Sequence, residues 1–464
     1  MSEHDGKRRG PSRRMLIGAG AIGGAAIAGF ALRKPIMARV KQWTRSSEFA
    51  ATPALVPHDP VKDRRTLAIG KGGGPAANVD AVLDTVGIER VVGEDDVVIV
   101  KVSAQWWNQG MTNVAAARRT IERILARPNF RGEIVVFENT HFRLPDGSGL
   151  ARAFTHPSER NVDVPGWASL GDLVAHYKAQ NAPVSFVGLV DAGKSELSGD
   201  PWHDPEHAHG VYGGDDRGPI AAGEVRDGYR WDFDRVFEKK RGWFETSRTP
   251  LTWPVFTSPR SGLQIDLAEG VFEVRGGART KTSRKLTWIS LVTVNEHGST
   301  GMTACCKSAM GVVDMSAGRF GTHPLADGYL SIHYFGNPEA TWRMAGPLAA
   351  FARQVRAPDL YLAVAEWVAI TPKLGTPGWD DDAVDLRLHA ASAHQAGVVV
   401  AGADPVAVDS WCAQNVLTPI AERVEGAHRD AFDVRNPDSK LSRFLRYYRE
   451  VGGGTLDPGL ITVG

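Results

Sequence analysis

The sequence predicts an α/β fold: a mostly parallel sheet of βαβ units with helices on both faces, plus an irregular inserted cap region. Two observations carry this expectation. Short β-branched runs alternate with stretches of helical periodicity over about 78–189 and again over 286–451, the order from which parallel sheets are built. Between them, over about 191–285, the chain is rich in Gly, Pro, Trp and charge, and the alternation lapses.

Taken in order, Asn78 to Val86 places Val79, Val82, Leu83 and Val86 at helical spacing, and Asp96 to Val102 is a β-branched run suited to a buried strand. A helix is expected at Asn113 to Ala126, a strand at Glu133 to Phe137, a helix at Ser169 to Ala179 and a strand at Val184 to Leu189. The insertion holds short strand-like pieces such as Gly270 to Val274. Leu286 to Val294 then resumes the rhythm, followed by a helix over Thr341 to Val355 and strands at Leu360 to Ala365 and Val398 to Ala401. Asp404 with Pro405 reads as an N-cap and first helical residue, and residues 440–451 form a last amphipathic helix.

The N-terminus reads as an address. Lys7, Arg8, Arg9, Arg13 and Arg14 precede an uncharged, glycine-rich stretch from Met15 to Leu32, the order of an export signal. Arg13-Arg14 directly before the apolar run is the twin-arginine arrangement. It implies passage through the twin-arginine export machinery to the periplasm or the outer face of the cytoplasmic membrane. Residues 15–32 are long enough to anchor the chain if uncleaved. We therefore divide the chain into a signal or anchor at 1–32, a Pro-interrupted linker at 33–65, and an α/β domain at 66–464 with its insertion at about 191–285.

The 54 basic and 53 acidic residues nearly cancel, so no concentrated charge points to nucleic acid. Three cysteines, Cys305, Cys306 and Cys412, are too few for a disulfide scaffold. Burial of apolar surface must hold the fold. The Gly70–Gly74 stretch lacks the spacing of a phosphate loop and reads as a flexible turn. Cys305-Cys306, taken as part of a strand, would point to opposite faces and serve packing.

Several residues are candidates for chemistry. Lys101 ends a predicted parallel strand, where open α/β sheets place ligands, and could neutralise an anionic group. Lys307 follows an apolar, sulfur-rich run in which burial could make it a base or an imine-forming nucleophile. His297, His323 and His333 flank it as proton carriers or ligands of a divalent metal. His203, His207 and His209 form a second, metal-suited cluster, although Pro205 prevents His203 and His207 from pairing on one helix turn. Asp404 is first of all a cap. Asp409 lies five residues on, so it need not face the same place.

Three stretches resemble the family known as domain of unknown function 362. They are Val97–Val102 followed by Thr112-Asn113 and a helix; Asn295-Glu296-His297 followed by Thr303–Gly311; and Val400–Asp409, which follows the family's Gly-x-Asp-Pro-x-Ala-x-Asp ending. Departures are equally specific: Asn295-Glu296 stands where the family usually has Lys-Thr, Ser308 where it has Asn, and Ala365-Glu366 where it often has Asp-Gly. The clustered cysteines of the ferredoxin modules attached to relatives are absent, so no iron–sulfur module is expected. The resemblance identifies a scaffold with no settled reaction. It adds Thr112, Asn113, Asp404 and Asp409 to the expected ligand-binding set around Lys101, His297 and Lys307. The expected activity is proton transfer or isomerisation on a small anionic ligand; the alternative is a non-enzymatic binding or accessory protein of the envelope.

Overall fold

The structure is a computed structural model that describes residues 64–140, 151–190, 223–226, 228–241, 245–314, 332, 342–371 and 392–464. In its first half, strand β1 (Arg65–Lys71), helix α1 (Pro75–Val86), β2 (Val97–Val102), α2 (Val114–Leu125), β3 (Glu133–Thr140), α3 (Leu170–Ala179) and β4 (Val184–Val190) follow one another. An antiparallel region comes next: β5 (Val225–Arg226), β6 (Tyr229–Arg241), β7 (Glu245–Thr257), β8 (Gln264–Asp266), β9 (Gly270–Arg275) and β10 (Ala278–Lys281). The chain then returns through β11 (Leu286–Thr293), a hairpin of β12 (Asn295–His297) and β13 (Gly301–Thr303), and a 3₁₀ turn at Cys305–Gly311. It ends with α4 (Ala345–Gln354), β14 (Leu360–Ala369), β15 (Ala393–Gly402), α5 (Pro405–Cys412), α6 (Lys440–Gly452) and β16 (Ile461–Val463).

The main sheet has the order β16-β1-β15-β14-β11-β2-β3-β4. Its pairs are parallel except where β15 meets β1 and β14, so β15 alone runs against the rest. Central β2 and β11 are buried along their whole length, which is why they read as unbroken apolar runs. Strand alternation divides their side chains between two cores. Val98, Val100, Ile289 and Leu291 pack with α1, α2 and α3. Val97, Ile99, Trp288 and Val292 pack with α4, α5, α6 and the antiparallel sheet. The α/β class is therefore as expected, with helices on both faces.

Three expectations change. The insertion is not irregular: its described part forms a six-stranded sheet, β10-β9-β8-β7-β6-β5, whose Leu251, Trp253, Ile265 and Val271 enter the core. In β6 the buried Tyr229, Trp231 and Val236 stand among Arg230, Asp232, Asp234 and Arg235, and that charge conceals the strand in the sequence. No strand was expected ahead of Asn78, yet β1 forms there because β15 and β16 supply its partners from the far end of the chain. Cys305 and Cys306 lie on the 3₁₀ turn and not on a strand, yet both are buried in the core, as packing residues should be. Among the described residues no helix is long and apolar enough to cross a membrane. Arg13, Arg14 and the stretch 15–32 lie outside the described residues.

Candidate functional site

Parallel strands end together, so the loops after β2, β3 and β11 share one edge of the sheet. Lys101, the fifth residue of β2, stands beside Ser290 of β11 and Phe137 of β3. Its Nζ lies 3.2 Å from Glu138 Oε2, and both side chains are about 4 % exposed. Burial pushes the Glu138 carboxyl up from its ordinary 4.5 to about 7, against the pull of the Lys101 charge and of the Ala104 N–H. Gly311 sits directly over the pair. A Cβ there would overlap Glu138 Oε1 and come within 2.6 Å of Lys101 Nζ.

Gly311 closes the turn on which Lys307 stands. Lys307 Nζ is 3.1 Å from His297 Nε2, across from the β12–β13 hairpin. The backbone N–H groups of Ser299 and Thr300 both donate to His297 Nδ1, at 3.1 and 3.4 Å. Two donors aimed at Nδ1 assign the ring proton to Nε2. A lysine ammonium has no lone pair for that proton, whereas a neutral amine accepts it. The contact is thus complementary when Lys307 is an amine. At about 2 Å of rise per residue, the turn separates Lys307 from Gly311 by about 8 Å, so one short segment carries both the Lys307–His297 contact and the lid of the Lys101–Glu138 pair.

The remaining expected ligand-binding residues bind protein. Thr112 Oγ1 donates to Leu291 O (2.7 Å) and accepts from Ser103 N (2.8 Å), stitching the loop after β2 to β11. Asn113 caps α2 by accepting from Ala116 N and donates to Asn161 and Asp163. Asp404 caps α5 through Val406 N and Ala407 N, while its other oxygen accepts from Thr455 N. Asp409 accepts from Cys305 N (2.8 Å) and Cys306 N (2.9 Å). The structure thus brings Lys307 to His297 and Lys101 to Glu138, and turns both aspartates toward backbone. Glu138 was not singled out in the sequence, where the available signal was a carboxylate at the end of an otherwise apolar strand, and Gly311 entered only as the last residue of the family-like stretch Thr303–Gly311.

Asn295 and Glu296, the departures before His297, fix the hairpin. Asn295 donates to Gln109 O and accepts from Ala369 N, and Glu296 accepts from Thr371 N and pairs with His428. His203, His207, His209, His323 and His333 lie outside the described residues. Among the described residues no group of three or more His, Cys, Asp or Glu is arranged to hold a metal ion.

The buried lysine–carboxylate pair and the lysine–imidazole contact lie at the carboxyl edge of the parallel strands of an α/β protein, the edge at which open α/β sheets generally place ligands. Residues 285–414 match the family described as Domain of unknown function (DUF362). The matched stretch runs from the start of β11 to just past α5, and so contains His297, Lys307, Gly311, Asp404 and Asp409 but neither Lys101 nor Glu138. No curated protein and no solved structure matches the chain.

Proposed function

We propose that the chain catalyses proton transfer, of the kind that isomerises a small anionic substrate, with Lys307 as the base. The observation carrying this reading is the pair of N–H groups on His297 Nδ1, which leaves Nε2–H facing Lys307 and favours the amine form of the lysine. An amine held at neutral pH can take a proton from carbon or form an imine. The proton taken from one carbon leaves Lys307 as an ammonium, which returns it to another carbon of the substrate and regenerates the amine; His297 orients that amine through Nε2–H. Lys101 supplies positive charge for the substrate's anionic group, and Glu138, when protonated, leaves that charge uncancelled. A divalent metal belongs to the same proposal, with His203, His207, His209, His323 and His333 as its candidate ligands.

Lys307 reactivity tests this. In competitive acetylation of the full chain across pH, read by mass spectrometry, Lys307 should be labelled at lower pH than a free lysine amine added as internal standard, whose amine form ordinarily appears near pH 10.4. Small carboxylates incubated with the protein in D₂O should exchange an activated C–H, and Lys307→Met should abolish the exchange. A Lys307 labelled in step with the free amine overturns the reading. We further infer folded export by the twin-arginine route, supported by Arg13-Arg14 alone. Replacing both with Lys should hold the chain in the cytoplasm, and unchanged fractionation would refute export by this route.

A further inference from the structure

We propose that Asp409 is the positioning residue for Lys307, an assignment that rests on the proton-transfer reading above. Asp409 is 2 % exposed, and each of its carboxylate oxygens accepts from one of two consecutive backbone N–H groups, those of Cys305 and Cys306. The opening N–H groups of a helical turn have no partner within the turn, so the carboxylate takes the place of a missing preceding turn. Two bonds to adjacent residues fix both the height of the turn and its rotation about its own axis. Lys307 is the next residue, and its N–H bonds back to Ala304 O. The direction in which its side chain leaves the backbone is therefore set by Asp409.

The support behind Asp409 is rigid. It sits in α5, whose Val406, Ala407, Val408 and Cys412 are buried in the core. The first turn of α5 is fixed by Asp404, which also holds Thr455 N. At the far side of the contact His297 is equally constrained, by Ser299 N, Thr300 N and the hairpin register Asn295–Thr303 and His297–Gly301. Both members of the lysine–imidazole contact are thus clamped through backbone, and Asp409 is the clamp on the lysine side. Asparagine could not replace it: one oxygen would be lost and an N–H₂ group would face an N–H donor.

The test compares the pH profile of Lys307 acetylation in the full chain with Asp409→Asn, Asp409→Glu and Asp96→Asn. Asp96 is a buried carboxylate that holds Gly93 N and Thr287 Oγ1 at the opposite end of the strands, so its variant loses stability without touching the turn. Asp409→Asn should slow Lys307 labelling at pH 7.5 about tenfold, an upward move of about one pH unit. Asp409→Glu, which keeps two acceptors, should fall between it and the parent, and Asp96→Asn should leave the profile in place. A depressed parental profile that both Asp409 variants leave untouched overturns the assignment but spares the proton-transfer reading. An ordinary parental profile overturns the proton-transfer reading itself. If neither Asp409 variant folds while Asp96→Asn does, the residue is structural and the assignment falls.

Discussion

Gly311 stands against Glu138 so closely that no side chain fits between them: a Cβ would overlap Glu138 Oε1 and sit 2.6 Å from Lys101 Nζ. Neither neighbour can swing aside into solvent, because both are buried in a mutual ion contact. Gly311→Ala is expected to cost about 1–3 kcal/mol, the usual range for overpacking. At Gly298, whose Cβ position is open, the same change should stay within about 0.5 kcal/mol. Urea denaturation of the two variants checks this, and equal midpoints would show that the turn yields freely.

The Lys101–Glu138 pair should behave as a unit. Lys101→Met leaves a carboxyl group without its cation, and Glu138→Gln leaves a buried ammonium without its counterion; breaking such a pair costs about 3–5 kcal/mol. In the double variant neither charge remains, and much of that loss should return. A double-mutant cycle by urea denaturation measures the coupling. Strict additivity of the two single losses would mean that the 3.2 Å contact carries no energy.

Stability should rise as pH falls from 8 to 5.5. The folded-state carboxyl of Glu138 is raised from 4.5 to about 7, and that of Asp409 from 3.8 to about 6, in both cases chiefly by burial. A group so raised contributes stability that is complete below its unfolded pKa and lost as pH climbs through the folded one. Each shift corresponds to something on the order of 3 kcal/mol. Asp404 and Glu366, also raised by burial, act in the same direction. His394, lowered by burial and Arg423, opposes them, since the unfolded chain takes up its proton first as pH falls. Asp80, Asp95 and Asp433 are lowered and lose their contribution only below about 3.8, outside the window. The urea midpoint should therefore increase toward pH 5.5, with a shallower slope in the Lys101→Met/Glu138→Gln double variant. A midpoint that falls over this range contradicts the assignment.

Much of the scaffold was legible because buried parallel strands announce themselves as β-branched runs, as at Val97–Val102 and Leu286–Thr293. Strands whose partners are distant or whose outer face is charged do not. Arg65–Lys71 is defined by residues nearly the whole chain away, and Tyr229–Arg241 reads as a charged loop until its cross-strand partners are known. At the site, Lys101, His297 and Lys307 were legible as residue types. Their pairing was not, since it depends on a hairpin that folds His297 back onto a turn ten residues later. Glu138 escaped notice because a carboxylate at a strand end ordinarily reads as solvated. Asp409 was legible as a motif position but not as a partner of Cys305 and Cys306, which is a matter of where α5 docks.

Thr112 separates a structural from a ligand-binding role most directly. It is fully buried, and its hydroxyl both donates to Leu291 O and accepts from Ser103 N, so one oxygen joins the loop after β2 to the end of β11. Thr112→Val keeps the shape and removes both bonds, leaving a carbonyl and an N–H buried without that partner. Each such orphan costs about 1–3 kcal/mol. Thr112→Ser keeps the hydroxyl and loses one methyl, about 1 kcal/mol. The order of stability in urea should then be Thr, Ser, Val, with Val well below the others. Lys307 should retain its acetylation profile in the Ser variant, since the loop stays fastened. A Val variant as stable as the parent, but with altered Lys307 reactivity, would move Thr112 from the frame of the site into the site itself.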